Sequence, residues 1–305
     1  MSVTQQALSV GRAAVAPRPR RSAWFGGIHG ADYVWASAFA LPYIAVFFAF
    51  VVYPVGFGIW MGSDPALYTD LFSDPRYLTS VANTLLYVGI GVNLKMFLAF
   101  MLSGFFIRKR WWIKALLVIF ILPWATPALP AYMSIHWFLN GQWGMLNNVL
   151  YLLTGVDGPV YLNDRWMGLA CNIGAYIWKT LPFWTVILLA GRMAVPQELY
   201  EAAAVDGATG FRRFTHVTVP LLANLYLVCT LLDMVFALGD FNATYFVSGG
   251  GPAMSTEVLA TLGIRYAFTI AQPRLGVAAV MSALPLLIPL VILLMRKLRM
   301  SEGQL

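Results

Sequence analysis

The chain has 305 residues; 60% are hydrophobic, only 11% are charged, and the net charge is +7. A water-soluble protein draws roughly a quarter of its residues from Asp, Glu, Lys and Arg. This composition therefore excludes an ordinary soluble enzyme, a disordered chain and a disulfide scaffold, and leaves an all-α polytopic membrane protein.

Four intervals, 33–63, 115–156, 214–232 and 275–295, hold no charged residue. Each is close to or above the ~20 residues that cross a bilayer as a helix. The basic excess does not read as nucleic-acid binding, because it falls in short clusters between apolar runs. Cys171 and Cys229 lie inside apolar stretches and read as small buried hydrophobes.

In chain order, Arg12, Arg18, Arg20 and Arg21 mark a polar tail over 1–30, and a retained first span follows at about 33–58. A loop with Asp64, Asp70, Asp74 and Arg76 leads to a second span at about 81–106, which carries Asn83, Asn93 and Lys95. Past the cluster Arg108, Lys109, Arg110 and Lys114, a third span covers about 115–139, with kinks expected at Pro123, Pro127 and Pro130. The long connection through Asp157, Asp164 and Arg165 is expected to lie partly along the interface, and His136 reads as an interfacial residue. Spans four, five and six fall at about 167–191, 219–246 and 275–296, giving six membrane helices, a transmembrane domain over 31–300 and a short tail at 301–305.

Alternating sides puts fourteen Lys and Arg on one face of the membrane and four on the other, with Lys95 and Lys179 inside spans. The positive-inside bias then places both termini in the cytoplasm.

The loop at about 193–220 stands apart. Good helix formers run from Glu198 to Asp206 behind Pro196, Gly207 permits a corner, and Phe211, Phe214 and Val217 recur at three-residue spacing before Pro220. Helix, glycine corner, helix and proline describe a compact protrusion on the cytoplasmic side.

Glu201-Ala202-Ala203, then Asp206-Gly207-Ala208, then Val217-Thr218-Val219-Pro220 resembles the EAA signature of binding-protein-dependent ABC importer permeases. Val217 and Val219 stand where that family usually has Ile and Leu. Phe236 to Pro252, ending in Gly249-Gly250-Gly251-Pro252, and Trp178 to Phe183 are similar to the carbohydrate-uptake permeases related to the maltose transporter. The resemblance, over roughly 35–297, implies a type I importer transmembrane domain in a bacterial inner membrane. It also implies a second permease chain, two ATPase subunits that bind ATP and Mg, and an extracytoplasmic solute-binding protein. Glu201 would engage a basic residue of the ATPase, and Gly207 would make the bend. No phosphate-binding Gly-rich loop occurs in this chain, so it would hold no cofactor of its own.

Charged residues inside spans usually face protein or a water-filled path. Asp233 and Asp240, seven residues apart on one expected helix, with Asn242, Phe241, Tyr245 and Lys95, are the candidates for a path that takes a hydroxylated solute. The competing structural role for Asp233 and Asp240 is an inter-helix hydrogen bond or an ion pair with Lys95 or Lys179. The rival function is a secondary transporter driven by an ion gradient, with Asp233 or Asp240 as proton carrier. Three scattered histidines, His29, His136 and His216, offer no convincing metal or catalytic constellation.

Overall fold

The computed structural model describes residues 30–285, 287–289, 291–292 and 295–296, with side chains from Trp35 onward. The expected tails lie outside the described residues except for Gly30. All regular structure among the described residues is helical.

The chain divides into two units, Met1–Gly56 and Phe57–Leu305. The first holds α1 (Gly30–Phe47) and a π-helical turn, Phe48–Val52, which leads into α2 (Tyr53–Met61). Apolar side chains such as Phe39 and Phe50 stand exposed along it.

In the second unit, α3 (Pro65–Ser73) and α4 (Pro75–Leu86) each begin on an aspartate followed by proline. Asp64 accepts from the Ala66 amide and Asp74 from the Arg76 amide, and proline at the first helical position lacks the N–H that would otherwise go unpaired. A π-helical turn joins α4 to α5 (Asn93–Phe106), so that Pro75–Phe106 is one membrane-length helix. Next come α6 (Trp111–Ala125), α7 (Ala128–Phe138) and α8 (Met145–Thr154). α9 (Arg165–Ala194) is capped by Asp164, which accepts from the Met167 amide.

α10 (Gln197–Val205) and α11 (Gly210–Arg213) form the protruding loop, and a π-helical turn, Phe214–Thr218, runs into α12 (Val219–Gly239). α13 (Leu259–Ile264) and α14 (Pro273–Met281) follow. Among the described residues four helices are long and apolar enough to cross a membrane, or five if the bent α6–α7 pair is one span.

Three expected spans differ in form. The third is broken, with α6 and α7 bent by 98°. Thr126 is extended (φ −75°, ψ 148°) because the ring of Pro127 disfavours helical backbone before it. The fifth begins earlier and ends earlier than expected, as one helix from Gly210 to Gly239. Pro220 cannot donate to the turn before it, and the wide turn at Phe214–Thr218 precedes it. The sixth starts as α14 and stops being helical at Ser282-Ala283; its continuation lies partly outside the described residues.

α5, α9 and α12 pack around Tyr87, Met96, Tyr176, Trp184, Leu188, Leu222 and Cys229. Lipid supplies no hydrophobic drive between membrane helices, so close fit and internal hydrogen bonds must hold them. A second core of Leu71, Tyr77, Leu259, Leu262, Tyr266 and Ala278 joins α3, α4, α13 and α14. There Gly263 and Gly276 allow contact: a Cβ on Gly276 would stand 2.5 Å from the Gly263 carbonyl oxygen.

Candidate translocation cavity and coupling loop

The membrane half of the site is built on a buried ion pair. Lys95, from α5, sits 2.7 Å from Asp233 on α12 and also donates to Thr180 Oγ1 at 2.8 Å. Its ammonium lies 3.6 Å from the centre of the Tyr176 ring. Asp233 Oδ1 further accepts from Tyr176 Oη at 3.0 Å and Trp184 Nε1 at 2.8 Å. A buried carboxylate survives only with such partners, and together they lock α5, α9 and α12 in one register.

A cavity of about 650 Å³ opens beside this pair. Asp233, Asp240 and Asn242 line it together with Lys179, Thr180 and Tyr176, and Trp124, Tyr132, Phe183 and Phe236 form its aromatic walls. Trp124 and Phe183 stack with ring centres 5.4 Å apart. Carboxylate, amide and hydroxyl groups among aromatic faces are what a polyhydroxylated ring needs.

Asp240, seven residues beyond Asp233, is the C-terminal cap of the same helix, and both line the cavity. Its backbone is extended there (φ −77°, ψ 108°). Its Oδ2 accepts from Tyr87 Oη at 2.9 Å, and its Oδ1 from the Asn242 amide at 3.2 Å. Phe241 and Tyr245 do not line this cavity; their rings meet each other and Phe246 in tilted and edge-to-face contacts. Lys95 stands behind Asp233, fully buried.

Lys179 was legible in the sequence only as a possible ion-pair partner. Its ammonium instead donates to the carbonyls of Pro123 (2.7 Å), Trp124 (3.2 Å) and Thr126 (2.5 Å). The last turn of a helix leaves such oxygens unpaired and carries partial negative charge, so Lys179 caps α6 at its break. His136 Nδ1 donates to the Val247 carbonyl at 2.7 Å, tying α7 to a π-helical turn, Thr244–Ser248, that follows α12. A larger cavity of about 730 Å³ between α7 and α9 is lined by Pro127, Pro130, Cys171, Gly174 and Trp178 and has no charged group on its walls. Among the described residues no cluster of three or more His, Cys, Asp or Glu could hold a metal ion.

In the protruding loop two short helices, α10 and α11, meet at a glycine corner. α10 ends in paired bonds, Ala208 N–H to Ala203 O at 2.8 Å and Gly207 N–H to Ala204 O at 3.1 Å. Gly207 takes φ +77°, the left-handed position such a cap requires. Glu201, Ala202 and Asp206 are exposed, Ala203 and Ala208 half-buried. Glu201 accepts from Gln197 Nε2 at 3.0 Å. Val205 and Phe211 are 89% and 78% exposed, an apolar tip out of keeping with a solvated surface.

At the opposite end of the bundle, Asn83 donates to the carbonyls of Ser255 and Glu257, both at 2.8 Å, and accepts from Arg165 at 3.1 Å. Glu257 pairs with Arg265, and burial pushes its carboxyl up from the ordinary value. Asp74 bonds Arg76 and Tyr266; the Arg76 guanidinium holds its carboxyl down at about 2.

Comparison with known proteins agrees with this architecture. The sulfoquinovosyl glycerol transport system permease protein SmoG of Agrobacterium fabrum is 35% identical over 63% of this chain, a match that spans 62% of that relative's length. The trehalose/maltose transport system permease protein MalF of Thermococcus litoralis is 30% identical, over 74% of this chain and 81% of its own. Among solved structures, a bacterial alginate ABC transporter in complex with alginate pentasaccharide-bound periplasmic protein superposes with a TM-score of 0.77. That match covers 87% of this chain and 93% of the other at 22% identity, and so shows the shared fold. Residues 95–299 match the family described as binding-protein-dependent transport system inner membrane component, and the chain belongs to that family.

Proposed function

We propose that this chain, by its family a non-catalytic permease subunit of an ATP-driven importer, serves the uptake of a sugar, a polyol or a related hydroxylated solute; the secondary-transporter reading is not favoured. The cavity beside Asp233 and Asp240 would be this subunit's share of the path. The relatives named for trehalose/maltose and sulfoquinovosyl glycerol transport support the cargo class.

In this reading a second, different permease chain completes the path, and two ATPase subunits bind ATP and Mg. An extracytoplasmic binding protein delivers the solute, and both termini lie in the cytoplasm. The observation that carries the coupling role is the exposed α10 corner, where Glu201, Val205 and Phe211 all stand exposed. ATP binding closes the ATPase pair, draws Glu201 to Ala208 inward with it, and rocks α9 and α12 about the cavity. Asp233 is unsuited to carry a proton because Lys95, Tyr176 and Trp184 already hold it.

The test is affinity purification of the tagged chain from its native membrane in mild detergent, with identification of every co-purifying protein. An ATPase at two copies, with a second permease and a secreted binding protein, supports the assignment and provides material for solute screening. A preparation that still transports solute without any ATPase overturns it.

A further inference from the structure

Arg192 lies in the last turn of α9, where a cation ordinarily reaches water, yet it is only 8% exposed. Its Nε donates to Ser103 Oγ at 2.9 Å and a terminal nitrogen donates to the Phe100 carbonyl at 3.0 Å. The guanidinium carbon stands 4.8 Å from the centre of the Phe100 ring and 5.9 Å from that of Phe214. Among the described residues no carboxylate pairs with it. The charge is met by one carbonyl, one hydroxyl and two ring faces.

The place is made for this group. A Cβ on Gly104 would stand 3.2 Å from one guanidinium nitrogen and 3.3 Å from its carbon, so glycine clears the seat. Ser103 and Phe100 belong to the end of α5, Arg192 to the end of α9, and Phe214 to the turn that opens the fifth span. Three elements therefore meet on one side chain.

Two of them flank the protruding loop directly in sequence; α5 does not. Tyr200 of α10 is bound to the returning helix, with the Arg213 guanidinium 5.8 Å from its ring centre and the Thr218 hydroxyl 3.4 Å from its own. A displacement of α10 therefore carries Phe214 with it. Phe100 meets Phe214 by ring contact at 5.6 Å, which can slide, whereas the forked hydrogen bonds of Arg192 fix direction. α5 in turn carries Lys95, which holds Asp233 at the cavity wall.

We propose that Arg192 is a positioning residue, the joint through which movement of the coupling loop is passed to α5 and so to the Lys95–Asp233 pair. The proposal rests on the coupling role given above to residues 201–208. Its chemistry is that of a planar cation seated between a helix end and an aromatic pair, and it touches neither solute nor nucleotide.

The test uses the full complex in proteoliposomes, measuring ATP hydrolysed per solute taken up. In Arg192→Lys, which keeps the charge but loses the fork, this ratio rises about tenfold while the ATPase chains co-purify in wild-type amount. Ser103→Ala gives a smaller rise of about threefold. If Arg192→Lys fails to assemble, Gly104→Ala tests the same joint by displacing the guanidinium with the side chain intact. An unchanged ratio in the assembled variants, beside a raised ratio in Gly207→Val, overturns the joint and leaves the coupling loop standing. An unchanged ratio in Gly207→Val as well overturns both.

Discussion

The ammonium of Lys95 lies 2.7 Å from Oδ1 of Asp233, and neither side chain reaches solvent. An isolated charge in that position is untenable, so the pair stands or falls together. Lys95→Met or Asp233→Asn alone strands a partner and lowers stability by about 3–5 kcal/mol, seen as a lower thermal midpoint of the purified complex. The double variant Lys95→Met, Asp233→Asn recovers part of that loss, because the asparagine oxygen still accepts from Tyr176 and Trp184. Uptake stays low in the double variant, because the cavity wall has lost a carboxylate.

Lys179 answers three carbonyls at the break between α6 and α7. Lys179→Met leaves the Trp124 and Thr126 carbonyls without that donor, while Pro123 still accepts from Thr126 Oγ1, at a cost of about 2 kcal/mol. Amide exchange at residues 123–128 quickens by tenfold or more on that estimate, while exchange in α9 away from the site stays slow. Equal exchange in both proteins would show that the break is held by packing alone.

Gly207 has φ +77°, and nothing lies within 4 Å of where its Cβ would stand. Gly207→Val is therefore opposed by backbone strain of roughly 1–2 kcal/mol and not by a clash. The complex assembles, the corner opens, and uptake falls while ATP hydrolysis persists. Parallel assays of the two activities on one preparation decide the matter.

The end of the bundle bearing Asp74 and Glu257 responds to acid in a defined way. The folded-state pKa of Asp74 is about 2, below its ordinary 3.8. The stability it contributes is complete above its unfolded value and is lost as pH falls through the folded one, between about pH 4 and 2. The Arg76 side chain is 45% exposed, so solvent screening limits the contribution to ~1 kcal/mol. Glu257 is shifted the other way by burial, so its neutral form is favoured at low pH and offsets part of that loss. Asp74→Asn should flatten the acid limb of a thermal-stability profile between pH 4 and 2, and a limb of unchanged slope would assign the acid response to other groups.

The helical class and the identity of the protruding loop were legible because they depend on local facts: charge-free length, Pro196, Gly207 and the spacing of Glu201 to Pro220. Asp233 was legible as a polar group in an apolar run, and the competing ion-pair role with Lys95 is the contact observed. The spacing of Asp240 from Asp233 was legible and both line one cavity, but periodicity says nothing of where α12 stops. Phe241 and Tyr245, aromatic and close in sequence, turn away for the same reason. Arg192 passed as one more cytoplasmic cation, since its partners Ser103 and Phe100 are some ninety residues distant and carry no charge to announce them.

Gly249-Gly250-Gly251 invites description as slack. The segment is nonetheless bonded throughout: Thr256 N–H to Gly250 O at 3.1 Å, Thr256 Oγ1 to Gly251 O at 2.8 Å, and Asn83 to both Ser255 and Glu257. Its glycines serve compactness, since a Cβ on Gly250 would stand 2.7 Å from the Glu257 side chain. Proteases that favour unstructured chain should leave this stretch uncut in the intact subunit. The chain there behaves like a keystone: whatever presses on one side of that rim is resisted by helices whose sequences lie more than 170 residues apart.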